Sequence, residues 1–142
     1  EFVARHPQYE RVGLRDLCQK IHQLYARHDI ARLTTEMYLS DLTPAMKPSD
    51  AYAHIAQRKT ERVAIDDLEG RITTSLITPY PPGIPLIMPG ERFSTASIID
   101  YLKFARDTDD RFPGFEADIH GLRFDVDRKG HKTWLVDCVK EG

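Results

Sequence analysis

The stretch from Thr78 to Phe93, T-P-Y-P-P-G-I-P-L-I-M-P-G-E-R-F, constrains this chain more than any other part of it. Five of its sixteen residues are proline and two are glycine. Proline fixes φ and removes a backbone donor, whereas glycine opens φ > 0. A segment this stiff is not a flexible linker. Between the prolines lie Ile84, Leu86, Ile87 and Met88. The composition predicts a buried apolar path with fixed turns at both ends, at Pro82-Gly83 and Pro89-Gly90.

Upstream, the apolar residues recur at helical spacing. Leu14, Leu17, Cys18, Ile21, Leu24 and Tyr25 form one stripe on a helix from Gly13 to His28, which places Cys18 in the core. Asp29 is placed to cap a shorter helix carrying Ile30, Leu33 and Met37. Asp41 to Pro48 holds two prolines and reads as a loop. Ser49 is placed to cap a third helix with Ala51, Tyr52, Ile55 and Ala56. From Thr60 the pattern changes. Val63-Ala64-Ile65 is β-like, Asp66 is placed to cap one or two helical turns through Leu68 and Ile72, and a strand follows at Ser75 to Thr78. Pro85 to Met88 reads as extended. A helix starts at Ser94 or Thr95, carries Ile98, Ile99, Leu102 and Ala105, and ends before Phe112-Pro113-Gly114.

The last thirty residues read as a β-hairpin. Leu122, Phe124 and Val126 share one face of its first strand, and Trp134, Val136 and Cys138 share one face of its second. Joining the apolar faces requires paired positions whose numbers sum to an even value, such as Phe124 opposite Val136. That demands an odd-length loop around Lys129-Gly130-His131, in a register that a one-residue slip would invert. The expected class is α+β: N-terminal helices, then a small mixed sheet with a covering helix and a C-terminal β-hairpin.

At 142 residues the chain fits a single domain, residues 1–142, with a core of its own. A net charge of −2 gives no electrostatic reason to expect nucleic acid or a membrane surface. No stretch approaches the roughly 20 apolar residues that span a bilayer. Two cysteines far apart in sequence are expected to be reduced thiols of a cytoplasmic protein. The six histidines show no metal-ligand spacing, and no phosphate-binding glycine loop occurs. The chain starts at Glu1 rather than Met, so it is expected to be part of a longer protein.

Three motifs carry a resemblance. Pro79-Tyr80-Pro81-Pro82-Gly83-Ile84-Pro85 with Pro89-Gly90-Glu91, Phe112-Pro113-Gly114-Phe115-Glu116, and Asp118-Ile119-His120-Gly121 together resemble the C-terminal domain of the bacterial ornithine/lysine/arginine decarboxylases. These are pyridoxal-phosphate enzymes of the aspartate-aminotransferase-like fold. The resemblance spans the chain from about Gly13 onward. It implies a cytoplasmic enzyme of acid resistance or polyamine supply, which removes the α-carboxylate of lysine, ornithine or arginine. The N-terminal and cofactor domains lie outside this chain, which would hold neither catalytic nor cofactor-binding residues. The implied roles of the domain are to shape the channel to the active site and to help homodimers and larger oligomers assemble. Some relatives have an ATPase partner at this domain. The alternative is a non-catalytic protein-interaction or oligomerisation module.

Four polar residues are channel candidates. Glu91, on a stiff loop, either draws a cationic substrate or is an exposed charge paired with Arg92 or a helix N-terminus. Asp118 and His120 have the parity of Leu122 and Phe124 and so are expected on the apolar face. They form either a polar patch at a pocket edge or a structural pair. Tyr80, between prolines, reads as a packed ring with its hydroxyl satisfied rather than as a catalytic acid. The family's cofactor lysine follows a histidine in a Ser-x-His-Lys pattern. Here Lys129-Gly130-His131-Lys132 lacks the serine and reads as a solvated turn.

Overall fold

The computed structural model describes residues 1–141. Among these residues, five α-helices occur in chain order: α1 (Phe2–Arg5), α2 (Leu14–Arg27), α3 (Ile30–Leu39), α4 (Pro48–Ala56) and α5 (Ala96–Arg111). Seven strands join them: β1 (Thr43–Pro44), β2 (Thr60–Ala64), β3 (Thr78–Tyr80), β4 (Glu91–Arg92), β5 (Asp118–His120), β6 (Leu122–Val126) and β7 (Lys132–Val139). The class is α+β. The strands divide among three small sheets, β2-β7-β6, β3-β5 and β1-β4, and every pairing is antiparallel rather than mixed. Among the described residues, no helix is long and apolar enough to cross a membrane.

The core forms where α5 lies against the sheet. Ile98, Ile99, Tyr101, Leu102, Phe104 and Ala105 recur at three- and four-residue steps and are buried. Strand β7 runs through the middle of its sheet and is apolar on both faces, so Trp134, Leu135, Val136 and Cys138 are all buried. Arg106 fastens α5 to the 3-10 turn Ile65–Asp67 through two hydrogen bonds to Asp66, at 2.6 and 3.1 Å.

Several local expectations are overturned. Cys18 is exposed, because α2 packs by its C-terminal end, at Leu24, and leaves Leu14 out in solvent. Asp29 precedes α3 but makes no capping bond, since its carboxylate accepts from Arg32 at 2.9 Å. Ser49 lies inside α4, which Pro48 opens after Lys47. Thr43–Pro44, expected to be loop, pairs with Glu91–Arg92. No helix runs to Ile72. Ile72 and Thr73 instead bridge to Arg92 and Cys138 and knit the sheets together. The strand expected at Ser75 to Thr78 starts only at Thr78 and runs to Tyr80, as β3.

The hairpin keeps the expected parity in a register shifted by two. Phe124 opposes Trp134 and Leu122 opposes Val136, with five residues between Val126 and Lys132. Beyond Leu122 the strand overhangs the core, leaving Phe124 and Val126 43% and 65% exposed.

The proline-rich segment begins as β3, and its peptide bonds Tyr80–Pro81 and Pro81–Pro82 are cis. Its turns form as predicted, with Gly83 and Gly90 at φ +81° and +90°. Its apolar residues split. Leu86 and Ile87 are buried against Ile77, through Leu86 N–H to Ile77 carbonyl (2.8 Å) and Ile77 N–H to Ile87 carbonyl (3.2 Å). Ile84 and Met88 face outward, contrary to the expected buried path.

Candidate functional site

The four candidate residues occupy two places. Glu91 lines a cleft of about 380 Å³ between α3 and the proline-rich segment, with Tyr38, Ser40, Leu42, Ile84 and Leu86 among its walls. The backbone beneath Glu91 is tied on both sides. Its N–H donates to the Met88 carbonyl at 3.1 Å, and its carbonyl accepts the Thr73 N–H at 3.0 Å. A Cβ on Gly90 would collide with the Met46 carbonyl oxygen, so only glycine admits this close approach. The Glu91 carboxylate accepts the Met88 N–H at 2.7 Å. It does not pair with Arg92, whose guanidinium donates to the Gly70 carbonyl at 2.5 Å.

Tyr80, Asp118 and His120 sit together elsewhere, on the β3–β5 ribbon. Tyr80 pairs directly with Asp118 and Thr78 with His120, so these side chains share a face. That face is exposed, and Ile119 is the residue turned into the core. The expectation that Asp118 and His120 point to the apolar face fails because alternation breaks at Gly121. Gly121 has φ +93°, a conformation in which side chains are strained, and a Cβ there would collide with the Leu76 carbonyl oxygen. The kink sends β5 to β3 and β6 to β7, and inverts the facing between them. His120 Nε2 lies 3.3 Å from Asp118 Oδ2, with both side chains solvated. The Tyr80 ring is exposed rather than packed.

Lys132 is not in a solvated turn. It opens β7, and its ammonium donates to Asp109 Oδ2 at 3.1 Å while lying 4.1 Å over the Phe124 ring. The Asp109 side chain is only 8% exposed, and its Oδ1 finds no hydrogen-bond partner. Burial raises the Asp109 carboxyl above the usual aspartate range, with Lys132 pulling the other way. Cys138, fully buried, has its thiol pushed up to about 12 by desolvation.

Sequence reasoning missed the partners that make a cleft around Glu91. Tyr38, Ser40 and Leu42 are some fifty residues away and carry no motif. Lys132 and Asp109 likewise give no local signal of their meeting. No group of three or more metal-ligating side chains occurs among the described residues.

A family model described as "Orn/Lys/Arg decarboxylase, C-terminal domain" matches residues 31–140. The chain is 46% identical over 136 residues to lysine decarboxylase LdcA of Pseudomonas aeruginosa, covering 94% of this chain and 18% of that protein. It is 36% identical over 130 residues to the constitutive lysine decarboxylase of Escherichia coli, covering 89% of this chain and 18% of that relative. The solved structure of lysine decarboxylase A from Pseudomonas aeruginosa superposes with a TM-score of 0.86 at 46% identity, over 93% of this chain and 18% of that one. The chain thus spans less than a fifth of the length of the relatives it matches.

Proposed function

Because this chain belongs to the Orn/Lys/Arg decarboxylase C-terminal domain family, we propose that it serves as that domain in a cytoplasmic, pyridoxal-phosphate-dependent decarboxylase of a basic amino acid. In that reading residues 1–142 form one domain, and catalysis belongs to domains outside it. The cofactor does not fit here. Lys132 is the one lysine that follows a histidine, and its amine is engaged by Asp109 and stacked on Phe124. An amine held in this way is not presented to a cofactor aldehyde, as Schiff-base formation requires. When bound elsewhere, the cofactor supplies the electron sink for loss of the α-carboxylate.

What this chain contributes is placement and charge at an entrance. The observation that carries the reading is the Glu91 carboxylate, held on a rigid backbone at a cleft and free of any arginine partner. Lysine, ornithine and arginine all present a cationic side chain, which negative potential along its path would concentrate. Asp118 adds charge from the ribbon face, with His120 steadying it and Tyr80 beside it. In the full-length enzyme, Glu91→Gln and Asp118→Asn should raise KM roughly two- to fivefold at low salt, as for a solvent-screened charge contact. The rise should shrink at high salt, and kcat should hold, since neither residue touches the reacting bonds. His120→Gln should have a smaller effect of the same sign. Parental KM with a lowered melting temperature in all three variants would make these residues structural.

One observation favours an interaction role beside the first. Strand β6 is an edge strand, and it exposes Phe124 and Val126 side by side on one face. In the assembled enzyme this face suits another subunit or a partner protein such as an ATPase. Phe124→Ser with Val126→Ser would then change the oligomer or the complex and leave the kinetics of the dimer alone.

A further inference from the structure

The cleft beside α3 is walled by aliphatic side chains together with Tyr38 and Ser40, and carries a single charge. Glu91 is the only ionisable carboxylate or cation in its lining, among Met37, Leu42, Ile84, Leu86 and Ile87. One oxygen of that carboxylate, Oε2, holds the Met88 N–H, which uses only part of its acceptor capacity. The adjacent Arg92 is turned away to Gly70. No lysine, arginine or histidine among the described residues forms an ion pair with Glu91. The backbone that carries the carboxylate is already tied down, by Thr73 and Met88 and by the close approach at Gly90. A volume of about 380 Å³ falls at the low end of the roughly 300–1,000 Å³ typical of small-molecule sites.

We propose that this cleft binds a free alkylammonium ion of the diamine class, its methylenes against Leu42, Ile84 and Leu86 and one ammonium on Glu91. Anions are opposed by the carboxylate. A neutral apolar molecule fills the walls but leaves that acid without a counter-charge. An alkyl chain ending in a cation answers both demands, and the second ammonium of a diamine stays in water at the cleft mouth. The choice of 1,5-diaminopentane as ligand rests on the proposed function, since it is lysine without its carboxylate. The demand for a cationic alkyl chain rests on the cleft alone.

The experiment is a titration of the isotope-labelled 142-residue chain with 1,5-diaminopentane, followed by NMR amide shifts, with 1,5-pentanediol as the neutral control. Saturable shifts at Ser40, Leu42, Met88 and Glu91, absent with the diol, are expected. Glu91→Gln should weaken binding roughly tenfold, as for loss of one charge-assisted contact. Met88→Lys, which tethers an ammonium at the cleft, should abolish binding, and it carries the test if Glu91→Gln misfolds. Shifts that persist unchanged in both variants, or that spread over Asp118 and other exposed acids, would overturn the site. Tighter binding of Nα-acetyl-lysine amide than of the diamine would assign the cleft to a protein lysine and overturn the free-ligand assignment. Absence of binding here, with a raised KM for Glu91→Gln in the full-length enzyme, would refute this site and leave the entrance reading standing.

Discussion

Replacing Leu86 by alanine removes a side chain that is 3% exposed from the centre of the proline-rich segment, whereas Ile84, two residues earlier, is 51% exposed. The contrast makes a sharp test, since both are four-carbon aliphatic groups on one rigid backbone. Leucine to alanine deletes about three methylene equivalents, worth roughly 0.8 kcal/mol each when buried. A cavity term adds to this, because prolines 85 and 89 restrict how far the segment can relax. The sum falls at about 2–5 kcal/mol, typical of core leucine truncations. Ile84→Ala uncovers surface already half in water and leaves no enclosed void, so its cost should stay below about 1 kcal/mol. For a chain of this size, the Leu86→Ala loss corresponds to a fall in melting temperature of roughly 6–20 °C. Urea unfolding and thermal melts of both variants measure it. Equal losses for the two, or a larger one for Ile84→Ala, would show that the burial assigned to this segment is wrong.

Asp109→Asn tests the buried acid. Its folded pKa is raised, so its stabilising contribution is complete below the unfolded aspartate value and is lost as pH rises through the folded one. Asparagine mimics the protonated form, so the parent should lose stability relative to the variant as pH climbs from about 4 towards neutrality, read as melting temperature against pH. A gap that moves the other way would mean that the Lys132 pair outweighs burial. Gly121→Ala should cost at least about 1–3 kcal/mol, from the strained φ alone before the clash with Leu76, and hydrogen exchange should report loss of the β3–β5 pairing first. A thiol reagent at neutral pH should label Cys18 quickly and Cys138 only on unfolding, because one thiol is exposed and the other buried and kept protonated. Two fast-reacting equivalents in the folded chain would contradict that packing.

Some of this was legible without a structure because it depends on residues near one another in the chain. The stripe of Ile98, Ile99, Leu102 and Ala105 marks α5 through the helical period alone. The Pro-Gly pairs define two turns because only glycine accepts the φ that each requires. The hairpin parity follows from the alternation of strands. The motifs around Tyr80, Phe112 and Asp118 point to the family that the comparisons establish.

What the tertiary structure decided is which of several locally equivalent arrangements is buried. The stripe on α2 states what the helix is able to bury. Only the placement of its neighbours leaves Cys18 and Leu14 in water. Alternation carried through Gly121 would turn Asp118 and His120 inward. The chain kinks there because Leu76 lies where a side chain would stand, and that crowding comes from another strand connection. Leu86 and Ile84 are alike in composition and differ only in facing Ile77 or solvent. Lys132 meets Asp109, and Glu91 meets a wall built from α3, across sequence separations that no local periodicity spans. Burial depends on what the rest of the chain brings to each side chain, so these contacts appear only when the elements pack.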